Sequence, residues 1–198
     1  MYVKVFKRMF DFGVAFLGLV ALLPLLLILA IAIKLDSPGP VFFVQKRIGI
    51  HKRYFNILKF RTMCRNAPAN TPTHQLSNSE QYITKLGKFL RRTSLDELPQ
   101  IWNILIGQMS VIGPRPALWN QEDLIFERDK YGANDLRPGL TGWAQVHGRD
   151  ELKIEDKAKL DGDYAKRISF ILDLQCFILT IFSVIKQEGI IEGENKKS

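Results

Sequence analysis

The chain has 198 residues, of which 46% are hydrophobic and 24% are charged, and its formal net charge at pH 7 is +8. These values are typical of a chain with a hydrophobic core, and they exclude a disordered polymer, a transporter with many membrane spans and a small disulfide-stabilised scaffold. The two cysteines, Cys64 and Cys176, form no spacing pattern, which favours a reducing compartment.

An uncharged apolar stretch of 22 residues occupies positions 12–33. It is long enough for a membrane helix, and Pro24 lies near its middle, where proline removes a backbone donor and clashes with the preceding turn. Basic residues flank it on both sides, including Arg8 and Lys34, so the positive-inside rule places both ends at the cytoplasmic face. Two interpretations are open: a re-entrant helix broken at Pro24, and a tilted, kinked single span.

The positive charge is concentrated in residues 37–93, which hold eleven Lys or Arg and one acid, Glu80, and so carry +10. Residues 1–36 carry +2 and residues 94–198 carry −4. Such a field attracts phosphate-bearing partners, including nucleic acids, anionic lipids and nucleotide sugars. A solvated basic face explains the same charge equally simply.

Beyond a Pro-Gly breaker at residues 37–40, most predicted elements are helices. Two runs rich in β-branched and aromatic residues, 41–46 and 54–60, predict a β-hairpin. Residues 67–79 and 135–149 are rich in turn-forming residues and are predicted to be mostly loop. Short helices are predicted at residues 83–92, 98–106, 121–131 and 155–166.

A second apolar run, residues 170–185, is interrupted by Asp173 and Gln175 and is too short to span a membrane. Its periodicity predicts an amphipathic helix that either packs on the domain, the more common arrangement, or lies in the membrane interface. The apolar stripe consists of Ile171, Leu174, Ile178, Ile181 and Ile185. The whole pattern predicts a mainly α chain with a small β-hairpin or sheet (α+β), and not a doubly wound α/β fold.

Two adjacent acids, Asp96 and Glu97, follow the arginine pair at residues 91–92. Ser94 and Glu97 stand at capping-box spacing, which favours a purely structural role at a helix start. Pro99 instead favours a helix that begins near residue 99, which leaves both acids in an exposed approach turn. Adjacent acids in such a turn suit a nucleophile or a hard cation such as Mg²⁺.

Two further motifs place an arginine in a turn stiffened by proline: Arg115 in residues 113–116 and Arg137 in residues 137–142. Such arginines suit bidentate binding of phosphate, although an ordinary turn explains either motif taken singly. The three histidines are scattered and no CxxC or HExxH pattern occurs, so a zinc site is not expected.

Five motifs follow one another along the chain: the apolar N-terminus with Pro24, KFRTM at 59–63, SLDELPQ at 94–100, GPRP at 113–116, and RPGLTG at 137–142 leading into Gln145 and Arg149. Taken in this order, they resemble the monotopic phosphoglycosyl transferases, also called the bacterial sugar transferase family. The resemblance covers about residues 1–190, with Leu23 at a position where relatives often have serine. Longer members carry additional N-terminal spans and a domain that this chain lacks, so the chain resembles the minimal catalytic form.

The resemblance implies transfer of a sugar 1-phosphate from a nucleotide sugar, usually a UDP-sugar, to polyprenyl (undecaprenyl) phosphate, with release of UMP. This is the first membrane step in the synthesis of capsule, exopolysaccharide, O-antigen or glycoprotein glycans. It implies Mg²⁺ as cofactor and Asp96 and Glu97 as the catalytic and metal-binding pair, with Asp96 as the hypothetical nucleophile of an aspartyl-phosphosugar intermediate. Candidates for binding substrate or phosphate are Lys59, Arg61, Arg91, Arg115, Arg137, Gln145, Arg149 and the weaker candidate Asp161.

The resemblance also implies a re-entrant membrane helix broken at Pro24, and so favours re-entry over a single span. Three parts are expected: a membrane-embedded segment (1–36), a catalytic domain with interfacial helices (37–190) and a polar tail (191–198). The expected location is the cytoplasmic face of the bacterial inner membrane, with nucleotide sugar, polyprenyl phosphate and membrane lipid, but no nucleic acid, as partners. The alternative is a membrane-anchored, non-catalytic protein that binds anionic lipid or nucleic acid through residues 37–93, an account that gives the ordered acid and arginine motifs no role.

Overall fold

The computed structural model describes residues 2–68, 79–148 and 151–186, and within them the chain is mainly helical with two small sheets. The fold class expected from the sequence, α+β, is confirmed. A turn of π-helix, Tyr2–Phe6, leads into the first α-helix. The helices are α1 Lys7–Asp36, α2 Lys85–Arg92, α3 Gln100–Leu105, α4 Glu122–Asp129, α5 Trp143–Val146, α6 Ile154–Arg167 and α7 Phe170–Lys186, and the strands are β1 Phe42–Ile48, β2 Tyr54–Phe60, β3 Ser110–Ile112 and β4 Gly139–Thr141.

The apolar N-terminal stretch forms one 30-residue helix, α1, which continues through Pro24. The predicted break at Pro24 is therefore absent from the secondary structure; proline removes one intrahelical hydrogen bond there, a loss that membrane helices tolerate. Within the described part of the chain, α1 is the one helix long and apolar enough to cross a membrane. Most of its surface is exposed, including Leu17, Leu27 and Leu35.

One face of α1 packs along the rest of the domain through both of its halves. Ala15, in the first half, belongs to a core cluster with Ile101 of α3. Ile33, in the second half, belongs to another cluster with Phe60 of β2 and Leu90 of α2. Burial of these apolar side chains stabilises the contact at about 25 cal/mol for each Å² removed from water. The helix is thus attached lengthwise, with its other face left open.

The predicted hairpin is confirmed. Strands β1 and β2 pair antiparallel, with Phe42 opposite Phe60 and Ile48 opposite Tyr54. A second sheet was not predicted: β3 and β4 pair in parallel, with Ser110 opposite Gly139. Its three-residue strands are too short to show an alternating pattern, and β4 and α5 both lie in the 135–149 stretch that was predicted to be mostly loop.

Helices α2, α3, α4 and α6 coincide closely with the predicted helices. Helix α7 is also confirmed, but a packing role for its apolar stripe is wrong, because Ile171 is 69% exposed and Ile178 and Ile181 are exposed as well. The buried face of α7 instead carries Leu172 and Cys176. This leaves a row of isoleucines on the outside of the domain.

The two ends of the described chain are joined at Asp173, on the buried face of α7. Its carboxylate accepts hydrogen bonds from Lys7 Nζ and Tyr2 OH, both at 2.6 Å, and from Tyr164 OH at 2.5 Å. Nearby, Asp11 of α1 accepts a hydrogen bond from the backbone N–H of Val111 at 2.9 Å. Asp173, which interrupts the apolar run in the sequence, therefore anchors the start of α1 to α7.

Candidate active site

The connection between α2 and α3 positions the two adjacent acids. Ser94 adopts a left-handed conformation (φ 56°), and a single 3₁₀ turn, Leu95–Glu97, leads through Pro99 into α3. Ser94 makes no side-chain hydrogen bond to the start of a helix, so the capping-box interpretation is wrong. A helix that starts beside Pro99 is confirmed.

The expectation that this turn exposes its acids is wrong. Leu95 and Leu98 pack against the buried side chains of Phe60 and Leu90, which draws the turn into the domain. Asp96 is consequently only 9% exposed. A buried carboxylate is costly unless cations or hydrogen bonds compensate it, so the surroundings of each acid determine what it can do.

Two cations hold the Glu97 carboxylate. Its Oε1 accepts hydrogen bonds from Lys59 Nζ and from Arg115 Nη2, each at 2.8 Å. Burial alone would raise the pKa of Glu97, but the charges of Arg115 and Lys59 hold it well below its usual range. Glu97 is therefore a fixed anion that positions one cation from β2 and one from the turn after β3.

The Asp96 carboxylate has the opposite character. Burial raises the pKa of Asp96 to about 6, against the opposing charge of Lys59 and with a further rise from neighbouring Glu97. In the described part of the chain no hydrogen bond engages this carboxylate, and it lines a cavity of about 370 Å³. Five basic side chains also line this cavity, which we call the basic cavity: Arg47, Lys59, Arg61, Arg65 and Arg91. At neutral pH, Asp96 is thus a poorly solvated anion that faces an anion-binding space.

Arg91 reaches the basic cavity because α2 lies unusually close to the end of β2. A Cβ on Gly87 would come within 2.0 Å of the carbonyl oxygen of Thr62, so only glycine permits this approach. Arg91, one turn further along α2, donates a hydrogen bond from Nε to Thr62 Oγ1 at 3.0 Å. The close contact between α2 and the end of β2 therefore positions the Arg91 side chain at the basic cavity.

Arg61 lines the same cavity, but most of its guanidinium is engaged by the backbone. Its Nη1 donates to the carbonyl of Pro38 at 2.8 Å, and its Nη2 donates to the carbonyl of Ser37 at 2.7 Å. Gly39 (φ 135°) makes room for it, since a Cβ there would lie 1.9 Å from Nη1. Arg61 thus ties the C-terminal end of α1 to β2, a structural task that the sequence did not indicate.

Gln145 lines a second, smaller cavity of about 180 Å³, in the company of Glu97 and Arg115. Arg137 lies elsewhere, beside Arg8, and donates from Nε to the carbonyl of Gly107 at 3.1 Å. The structure therefore brings Lys59, Arg91, Arg115 and Gln145 to the acid pair but leaves Arg137 away from it. Arg149 lies outside the described residues.

Asp161 is fully buried rather than exposed on its helix. Its Oδ2 accepts hydrogen bonds from Nε and Nη2 of Arg128, at 2.8 and 2.6 Å. Arg128 in turn donates from Nη1 to the carbonyl oxygen of Arg115 at 2.9 Å. Asp161 therefore does not contact Glu97. It holds Arg128, which supports the turn that carries Arg115, and Arg115 in turn binds Glu97.

Three basic residues of this region were not predicted: Arg47 and Arg65 in the wall of the basic cavity, and Arg128 beneath the Arg115 turn. Alternation along the hairpin could have indicated Arg47, because Phe43, Gln45 and Arg47 share one face of β1 and Phe43 stands opposite Lys59. Arg128 and Arg65 lie in stretches without a comparable pattern.

Comparison with known proteins shows the family of this chain. The family model described as bacterial sugar transferase matches residues 2–187, so the chain belongs to that family. It is 43% identical over 185 residues to an undecaprenyl-phosphate glucose phosphotransferase of Komagataeibacter xylinus, covering 88% of this chain and 35% of that protein. It is 40% identical over 195 residues to a UDP-glucose:undecaprenyl-phosphate glucose-1-phosphate transferase of Xanthomonas campestris pv. campestris, covering 94% of this chain and 40% of that protein.

A third relative has a similar length. The sugar transferase EpsL of Bacillus subtilis is 38% identical over 188 residues, which cover 94% of this chain and 90% of that protein. The chain thus spans about two fifths of the first two relatives and most of the third. Membrane association is a property of this family, and the long apolar helix α1 agrees with it.

Proposed function

We propose that this chain is a phosphoglycosyl transferase that moves a sugar 1-phosphate from a UDP-sugar to undecaprenyl phosphate and releases UMP. The observation that carries the proposal is the placement of Asp96, a buried carboxylate without a hydrogen-bond partner among the described residues, at a cavity for which those residues supply five basic side chains. The names of the relatives supply the substrate classes, a UDP-sugar donor and an undecaprenyl-phosphate acceptor. Non-catalytic binding of anionic lipid or nucleic acid would need neither acid.

In the first step, an Asp96 carboxylate oxygen attacks the phosphorus that carries the sugar. The bond from that phosphorus to the bridging oxygen breaks, UMP leaves with that oxygen, and an aspartyl-phosphosugar remains. In the second step, an oxygen of undecaprenyl phosphate attacks the same phosphorus and the bond to Asp96 breaks. The carboxylate is regenerated, so neither step needs another reactant.

The surrounding charges support both steps. Lys59 and Arg91 face the basic cavity, where they would neutralise the diphosphate and the departing UMP. Glu97 holds Lys59 and Arg115 in place before substrate arrives, so little reorganisation is needed in the transition state. In this scheme Glu97 orients the cations and does not transfer a proton.

The residues at the acid pair fit Mg²⁺. The described residues contain no cluster of three or more His, Cys, Asp or Glu side chains, so a metal here would have at most the two carboxylates of the acid pair as protein ligands of this kind. Mg²⁺ commonly takes only one or two carboxylates, with substrate phosphates and water as its other ligands. Asp96 is the better ligand, because Glu97 Oε1 already accepts two hydrogen bonds. When bound, the ion would offset diphosphate charge and stabilise the leaving group.

We also propose that α1, although its helical structure continues through Pro24, bends at this proline in the membrane and returns to the cytoplasmic face instead of crossing. Near its start, Arg8 donates to the carbonyls of Ile104 and Leu105, at 2.6 and 2.8 Å. At its end, Arg61 holds the carbonyls of Ser37 and Pro38. Both ends are thus attached to one domain, whereas a straight crossing would place them on opposite faces of the membrane.

The catalytic proposal is tested by mixing the purified chain with a panel of UDP-sugars, including UDP-glucose, undecaprenyl phosphate and Mg²⁺, and measuring UMP. Release of UMP with at least one sugar is expected, and Asp96→Asn should abolish it. Denaturing mass spectrometry of the wild type with donor alone should find a sugar phosphate on Asp96. If no donor gives UMP, the proposed function is wrong; near-normal turnover in Asp96→Asn would instead remove Asp96 as the nucleophile.

Re-entry is tested by cysteine labelling after replacement of the two native cysteines. Single cysteines are placed at Val5 and at Leu35, which lie on opposite sides of the apolar stretch and are both exposed. In inverted membrane vesicles, a membrane-impermeant maleimide should label both positions equally. Labelling of one position only would indicate a single crossing.

A further inference from the structure

The smaller cavity, to which α7 contributes, is called the α7 cavity. Glu97 lines it, whereas its neighbour Asp96 lines the basic cavity. Helix α7 forms one wall with Phe177, Thr180 and Ser183, which follow one another at three-residue steps and so share a face. The turn Leu95–Glu97 therefore borders two cavities.

The two cavities differ in chemistry. Among the described residues, five Lys or Arg side chains line the basic cavity, whereas Arg115 is the one basic side chain in the wall of the α7 cavity. Glu97 already binds Arg115. The remaining wall of the α7 cavity is largely apolar, with Leu98, Val111 and Leu140. A nucleoside diphosphate suits the first space, and a ligand with one phosphate and a hydrocarbon chain suits the second.

An unsatisfied amide marks the α7 cavity as a binding site. Gln145 is 6% exposed and lines the cavity, and neither its Oε1 nor its Nε2 has a hydrogen-bond partner among the described residues. A buried amide without partners costs free energy, so such groups usually serve a ligand. The amide Nε2 is a suitable donor to a phosphate oxygen.

The α7 cavity also continues into the exposed apolar surface of the protein. Phe177 lines it and is still 47% exposed, and the adjoining outer face of α7 carries Leu174, Ile178 and Ile181. The α1 surface adjoins this face, since Phe10 and Phe170 pack edge to face with ring centroids 6.3 Å apart. A chain held in the membrane could therefore reach the cavity along α7.

We infer that the α7 cavity receives the acceptor, a long-chain isoprenoid phosphate, while the basic cavity holds the nucleotide sugar. Gln145 donates to the acceptor phosphate, and Phe177 packs against the first part of its chain. The acceptor oxygen attacks the phosphosugar in line with its bond to Asp96, at the position that UMP has left. This inference rests on the proposed function and adds to it a separate entry for each substrate.

The test uses two half-reactions of the full chain in lipid nanodiscs. Exchange of labelled UMP into UDP-sugar, without acceptor, reports the donor side alone, and complete turnover gives a KM for each substrate. Gln145→Leu removes the amide, and Ser183→Trp fills the cavity from α7. Gln175→Trp is the matched control, because Gln175 is exposed on the same helix but belongs neither to the wall of the α7 cavity nor to the apolar face of Leu174, Ile178 and Ile181.

Both cavity variants should raise the KM for undecaprenyl phosphate by about tenfold or more, the effect of losing one good contact, with donor KM and UMP exchange close to wild type. The control should change none of these values. If the variants raise donor KM or abolish exchange while acceptor KM is unchanged, the inference is overturned. A wild-type chain that releases no UMP with any donor would refute the proposed function itself.

Discussion

Replacement of Asp96 by asparagine should make the protein more stable while it abolishes turnover. Asp96 is buried, and its pKa lies at about 6 instead of its ordinary value of 3.8, mainly because burial disfavours the charged form. This difference corresponds to about 3 kcal/mol by which the fold disfavours the ionised carboxylate at neutral pH. Asparagine has nearly the same shape and no charge, so it should recover up to about 3 kcal/mol.

The sign of the effect depends on pH in a defined way. An acid whose pKa is raised on folding lowers stability as the pH rises between the unfolded and folded pKa values. The destabilisation by ionised Asp96 is therefore absent below about pH 4, reaches about half of its full value near pH 5 and is complete above about pH 6. The stability gain of Asp96→Asn should follow the same curve.

The assay is thermal unfolding of wild type and variant in the same nanodiscs, with a chelator present so that no divalent cation binds the carboxylate. For a chain of this length, about 3 kcal/mol corresponds to a rise in Tm of up to about 10 °C at pH 8, falling towards zero at pH 4. Glu97→Gln is the matched control with the opposite sign. It leaves Lys59 and Arg115 without their anion and should lower stability by about 3 kcal/mol or more. A fall in Tm for both variants at pH 8 would refute the assignment of opposite roles to the two acids.

Three further predictions concern the supports of the site and its pH dependence. Arg61→Met should lower the free energy of unfolding by about 3 kcal/mol, measured by thermal unfolding, because the carbonyls at the end of α1 lose their donors. Asp161→Asn should cost about 3 kcal/mol by leaving Arg128 buried without its anion, and Arg128→Met on top of it should recover part of the loss in a double-mutant cycle. In the proposed mechanism Asp96 reacts as the ionised carboxylate, and a bound Mg²⁺ would lower its pKa. The acid limb of kcat/KM for the UDP-sugar should therefore have its midpoint at or below about pH 6, and a midpoint above pH 7 would contradict the mechanism.

Much of the fold follows from periodicity and turn chemistry. The hairpin and helices α2, α3, α4, α6 and α7 occur where the patterns place them, because each is long enough to show a repeat of two or about 3.6 residues. The β3–β4 ladder could not be predicted in this way: two three-residue strands pair across an intervening helix, and long-range pairing leaves no local pattern. Pro99 was the useful signal at the site, since it correctly separated α3 from the acid turn.

The local sequence indicated which acids matter but not how they differ. Asp96 and Glu97 are neighbours, and their different environments arise from Lys59 and Arg115, which are distant in the chain. The same holds for Arg61, whose partners at Ser37 and Pro38 depend on the path of α1. Burial and ion pairing of this kind depend on tertiary structure, which a motif does not specify.

The hydrogen bonds that join Tyr2 and Lys7 to Asp173 of α7 have a consequence for biosynthesis. Lys7 and Asp173 are 166 positions apart, so at 5–20 residues per second the ribosome needs about 10–30 s between them. Until α7 is made, the ammonium group of Lys7 is without the carboxylate of Asp173. In the proposed membrane arrangement, α1 is available to the lipid before α7 exists, and the contact between them forms last. Folding should accordingly be completed at the membrane, when α7 has been made and Asp173 binds Lys7 of α1.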